Sequence, residues 1–131
     1  MARTDFQRLR VYRLAEQLAD EVWTVVGTWE AFAKRTVGHQ LTRAADSIGA
    51  NIAEGAGRGS YLDDRRFVRI ARGSLYETQH WLRRAYKRQL LSDEAVKAIG
   101  RRFEVLPPAS MRILNRLAAA DSLRLSQSTD H

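Results

Sequence analysis

Apolar side chains return at alternating intervals of four and three residues in four separate stretches of this chain. That repetition limits its fold more than any other feature. The first stretch holds Val11, Ala15, Leu18, Val22, Val25, Trp29 and Phe32, and the second Leu41, Ala45, Ile48 and Ile52. The third holds Phe67, Ala71, Ser74, Thr78, Trp81 and Ala85, and the fourth Val96, Ile99, Phe103, Leu106, Ser110, Ile113 and Leu117. A period near 3.5 residues puts each set on one side of a helix, and no strand-like alternation competes with it. Four such helices with short connections predict an all-α fold, an antiparallel up-and-down four-helix bundle.

The boundaries follow from local chemistry. Gly27 is expected to weaken the first helix without ending it, and Lys34-Arg35-Thr36 to close it. The second helix is expected from about Val37 to Glu54. Ala44, Gly49, Ala50 and Ala53 leave its other sides nearly bare, which suits a central place among close neighbours. Gly55, Gly57 and Gly59 then mark a turn. Ser60 with Asp63 reads as a capping box for a third helix running to about Leu90, and Ser92 with Asp93 and Glu94 as the start of a fourth. Pro107-Pro108 interrupts that last helix while its register continues, so a kink or split is expected there. The bundle is expected to span 1–121, and the patternless residues 122–131 to form a flexible C-terminal tail.

Composition removes several chemistries. The 131 residues include no cysteine, which excludes disulfides, thiolate metal sites and cysteine nucleophiles. The N-terminal residues lack the apolar segment of a signal peptide, and no apolar run is long enough to cross a membrane. A cytoplasmic protein is expected. His39, His80 and His131 have no metal-site spacing, so neither a metal nor another cofactor is expected.

Charge is uneven. There are 22 basic and 15 acidic residues, a net +7. Eight of the basic residues but only three of the acidic ones fall in 62–90. At about 100° per residue, Arg65, Arg69, Arg72, Arg83 and Lys87 share one side of the third helix, forming a stripe about 33 Å long. Arg66, Arg84 and Arg88 flank it, and Tyr76 and His80 are interleaved. A solvated helix face would explain an ordinary charge run. A stripe so one-sided and rich in arginine also suits phosphate, whose oxygens the guanidinium fork can bridge. No base-reading motif accompanies it, so recognition of RNA or another nucleic acid would rest on backbone and shape.

Two other readings fare less well. The turn Gly55-Ala-Gly-Arg-Gly-Ser60 lacks the third glycine of the dinucleotide fingerprint and the Lys-Ser/Thr ending of the P-loop. An anion beside Arg58 at the third helix's start stays open. Glu54 and Glu77 could pair for acid–base work. A hydrogen-bonded network with Arg43 or Arg58 explains them more simply, because no nucleophile accompanies them. The chain is expected not to be an enzyme.

Arg43-Ala-Ala-x-Ser47-Ile48, Asn51-Ile-Ala-Glu54-Gly55, Arg58 and Ala71-Arg-Gly73-Ser74-Leu-x-Glu77 together resemble the four-helix bundle proteins of the 23S rRNA intervening-sequence family. Leu9-x-Val-Tyr12 and Arg112-Ile-Leu-Asn-x-Leu117 extend the resemblance to roughly Phe6–Ala119. It implies a bacterial, non-enzymatic homopentamer of antiparallel bundles associated with RNA. A more distant branch, the accessory proteins of diversity-generating retroelements, implies an alternative: an oligomeric scaffold that docks a protein such as a reverse transcriptase. Exposed Tyr12, Trp23, Tyr61 or Tyr86 would then make the contact. Gly49 where relatives have proline, the missing Phe-Pro before the second helix, and Pro107-Pro108 itself depart from the family pattern.

Overall fold

A computed structural model of the protein describes residues 2–103, with side-chain surroundings from Leu9 onward. Four helices account for nearly all of it, and there is no strand among the described residues. The first helix is Ala2–Gly27. The second begins as one α-helical turn, Ala31–Ala33, widens to a π-helix over Lys34–Gly38, and continues as the α-helix His39–Gly57. The third is Tyr61–Lys87, and a fourth occupies 93–103. The double proline, the seam from Leu106 to Leu117 and the boundary at 121 lie outside the described residues.

The first connection falls earlier than the sequence suggests. Gly27 is the last residue of the first helix, and the chain turns at Thr28-Trp29-Glu30. The Thr28 and Trp29 amides donate to the carbonyls of Val25 and Val26 at 3.0 Å. Glu30, extended at φ −73° and ψ 164°, then starts the second helix, its carboxylate accepting from the Ala33 amide at 3.1 Å. Glutamate ranks below serine, threonine, aspartate and asparagine as an N-cap, so this signal is weak in sequence. The register of buried positions also departs from the expected one, starting in the last turn of the first helix. Val26 and Ala33 are buried where Val25 and Phe32 were expected, and Phe32 is 64% exposed.

From there the buried positions run Ala33, Val37, Leu41, Ala45 at intervals of four. An α-helix would rotate that series off the core by about 40° per step. The π-turn, with its i→i+5 bonds, absorbs the excess at its start. Gly38 makes this possible at the first helix: a Cβ there would lie 2.8 Å from Val26 Cγ1 and 3.1 Å from the Ala33 carbonyl oxygen.

The second helix occupies the centre, packed against both the first and the third. Leu41, Ala44, Ala45, Ile48, Gly49 and Ile52 are all buried. Gly49 faces Tyr12 and Ala15 at ordinary contact distance. Leu18, Val22 and Leu41 are fully enclosed, each contributing roughly 1.5–3 kcal/mol by leaving water. On the third helix Ala71, Leu75 and Ala85 complete the core, while Phe67 and Trp81 stay half-buried. Thr78 is completely buried, and its hydroxyl donates to the Ser74 carbonyl at 2.7 Å, leaving no orphaned donor there.

Both serine caps form as the sequence predicts. Ser60 Oγ accepts from the Asp63 amide and Ser92 Oγ from the Ala95 amide, each at 3.1 Å. The third helix stops at Lys87 rather than Leu90. Gln89 turns left-handed at φ 62°, and the Leu90 amide closes back on the Ala85 carbonyl at 2.9 Å, a Schellman-type ending. The fourth helix is then tied to the first by Arg102, which donates to Gln17 Oε1 at 3.0 Å and lies 3.9 Å from Glu21 Oε2.

The three glycines of the turn have different reasons. A Cβ on Gly55 would meet Phe67 Cβ and Asp64 Oδ1 at 2.9 Å, Gly59 is left-handed at φ 74°, and Gly57 has open space around it. Gly55→Ala should therefore lower stability by about 1–2 kcal/mol, overpacking outweighing the better helix propensity. Gly57→Ala should leave it equal or higher. Paired thermal melts check this, and equal losses for both would remove the close-approach explanation.

Asp46, on the second helix, has its pKa raised by burial first and by the charge of Asp20 on the first helix second. A carboxyl held above its unfolded value of 3.8 costs stability once it ionises, so its contribution declines as pH rises through the folded pKa. Asp46→Asn should accordingly be more stable than wild type at neutral pH. The gain should vanish below pH 3.8, which denaturant titrations at two pH values would reveal.

Candidate nucleic-acid interface

The third helix sets out its side chains by a plain division. Its buried side carries Val68, Ala71, Ser74, Leu75, Thr78 and Ala85, and the cationic residues fall across from it. Arg69, Arg83 and Lys87 are exposed, while Arg65 and Arg72 are half-buried at the stripe's edge. Arg66, Arg84 and Arg88 are exposed beside them. Seven of the eight expected cations thus lie on one helix, with Arg88 at its C-cap, and all reach the surface, two of them only in part.

Local contacts orient several of them. Arg72 donates to the Tyr76 hydroxyl at 3.0 Å, with its guanidinium carbon 5.0 Å from that ring's centre. Arg66 and Arg58 both stand over the Phe67 ring, at 5.3 and 5.2 Å. Each such contact supplies about 0.5–1 kcal/mol at an exposed site, enough to bias a side chain and too little to sequester it. Phe67 reads as a plain core position in sequence; its role as a shared platform comes from the turn that brings Arg58 alongside.

The signature residues on the second helix lie apart from the cationic stripe. Arg43, Ser47, Asn51, Glu54 and Arg58 follow one another at three- or four-residue steps, so they line one side of the second helix. That side is turned outward: Arg43, Glu54 and Arg58 are exposed, Ser47 and Asn51 half-buried. Their bonds stay within the helix. Ser47 Oγ donates to the Arg43 carbonyl and Asn51 Nδ2 to the Ser47 carbonyl, both at 2.7 Å, and Arg58 pairs with Glu54 at 2.7 Å. On the third helix Glu77 accepts from Trp81 Nε1 at 3.3 Å, Ser74 is buried, and Gly73 is exposed with nothing among the described residues within 4 Å of a would-be Cβ. These polar groups form local i,i+4 ladders, and the pairing of Glu54 with Arg58 is among them.

Other features fall outside this surface. Among the described residues no group of three or more His, Asp or Glu could hold a metal ion, and no helix is long and apolar enough to cross a membrane. Of the aromatic residues considered for protein docking, Trp23, Tyr61 and Tyr86 are exposed at 69%, 74% and 54%, whereas Tyr12 is half-buried against Gly49. Phe32, at 64%, joins them only because of the earlier turn.

The sequence profile of the 23S rRNA-intervening sequence proteins matches residues 7–107, which takes in every signature residue. No curated protein matches the chain. Among solved structures, a protein of unknown function from the S23 ribosomal protein family of Bacteroides thetaiotaomicron superposes with a TM-score of 0.63. The two are 22% identical over 84% of this chain and 96% of that one, a likeness that establishes the helical fold.

Proposed function

We propose, since this chain belongs to the 23S rRNA-intervening sequence protein family, that it is a non-enzymatic, self-associating helical protein that binds RNA through the cationic side of its third helix. The observation that carries this is the one-sidedness of the charge. Arg69, Arg83 and Lys87 stand exposed along a single helix face, with Arg66, Arg84 and Arg88 beside them. Close cations on a rigid rod release counterions from a polyanion together, a gain that scattered charges do not provide. The full architecture that goes with this reading is an antiparallel up-and-down four-helix bundle, assembled as a homopentamer in the cytoplasm.

Replacing Arg69, Arg83 and Lys87 together by glutamate should weaken RNA binding at least about tenfold and make its salt dependence shallower by roughly two to three units of log–log slope. Fluorescence anisotropy at several salt concentrations measures both. Unchanged affinity and slope would remove the stripe from the function.

Self-association is supported by Gly73. A glycine in an exposed helix interior costs about 1 kcal/mol against alanine, and nothing among the described residues needs its missing side chain. A second chain approaching that side closely would need it. Gly73→Leu should therefore melt no lower than wild type yet sediment as a smaller species. A wild type that sediments as a monomer at micromolar concentration would end the self-association reading.

A second reading, an accessory scaffold that docks a protein such as a reverse transcriptase, is favoured by the exposed Trp23, Tyr61 and Phe32. Large aromatic side chains in water are the usual anchors of protein contacts. Copurification of protein without nucleic acid, unaffected by the stripe substitutions, would select it.

A further inference from the structure

A groove of about 500 Å³ runs between the last turns of the third helix and the fourth helix. Its walls are apolar: Leu82, Tyr86, Leu91, Val96, Ile99 and Phe103. Ile99 forms a buried floor, Leu82, Leu91 and Phe103 are half-buried, and Tyr86 and Val96 are exposed. Arg83 and Lys87, two of the three exposed members of the cationic stripe, also line it. The groove thus opens directly beside the stripe, and the same two side chains belong to both.

This adjacency narrows the kind of RNA the stripe would hold. A duplex presents phosphates outward and keeps its bases stacked, so it could use the cations but leave the apolar walls in water. A single strand can turn a base out of its stack, and an aromatic wall beside a phosphate-binding cation is the arrangement that single-strand binders use. The volume falls in the ordinary range for a site enclosing a small planar group.

We propose that this groove shelters an unstacked base of a single-stranded RNA, Tyr86 and Phe103 supplying apolar and stacking contact while Arg83 and Lys87 hold the phosphates on either side. The inference rests on the reading of the stripe as an RNA surface and adds the strandedness of the partner. Charge complementarity favours this occupant over an uncharged apolar ligand, since both cations stand at the opening.

The experiment compares a short single-stranded RNA carrying 2-aminopurine with the corresponding duplex, on wild type, Tyr86→Ala and Val96→Glu. Tyr86 is exposed on a helix and alanine is a better helix former, so the first variant keeps its fold. The wild type should bind the single strand more tightly than the duplex. Tyr86→Ala should weaken the single strand about tenfold, with an unchanged salt slope, and leave the duplex untouched. Val96→Glu, placing a carboxylate at the lip, should act in the same direction, and the 2-aminopurine emission change on binding should shrink in both.

Equal affinity of wild type for the two RNAs, with both variants neutral, would overturn the groove and leave the stripe standing. Failure of the wild type to bind either RNA would overturn the stripe reading and this inference with it.

Discussion

The close approach of the second helix to its two neighbours is the contact on which the rest of the structure depends. Ala44, Ala45 and Gly49 let backbones come near along its length, and Gly38 and Gly55 do so near its two ends. A helix with small residues toward both partners gains less from its own side chains than a leucine-rich one. It gains through its neighbours, whose Leu18, Val22 and Leu75 reach a shared core. Because the centre is narrow, the outer helices are held firmly enough to keep fixed surfaces in water.

That constraint is why the third helix can serve as a platform. Its apolar side is committed to the core, its double-ended capping sets its length, and its cations are left to one side. Rigidity matters for binding a polyanion, since cations already in line lose little freedom when phosphates arrive. The same fixed ends bring the fourth helix beside the stripe's final turns, where Arg83 and Lys87 border the apolar groove. The outward ladder of Arg43, Ser47, Asn51, Glu54 and Arg58 occupies another part of the surface, bonded within its own helix.

Legibility in sequence varied with the range of the interactions. The helices, both serine caps and the stripe depend on neighbours within four residues, and these were readable. The end of the first helix was not: Gly27 has no left-handed φ to mark it, and Glu30 is a weak cap. The π-turn at Lys34–Gly38 has no sequence signature of its own; it goes with the four-residue spacing of Ala33, Val37, Leu41 and Ala45 and the close approach of Gly38 to Val26. The outward direction of the signature residues was not readable either. Spacing puts them on one side of a helix, but which side faces the core is decided by the neighbours that helix packs against.

By itself the sequence determined an all-helical chain, the course of the second-helix and third-helix seams, and which helix carries the excess charge, because periodicity and capping are local properties of the backbone. The tertiary structure decided where the first helix breaks, what each glycine is for, which way the signature residues face, and that an apolar groove opens beside two of the cations. Each of those depends on atoms far apart in the chain meeting at distances that spacing alone does not encode.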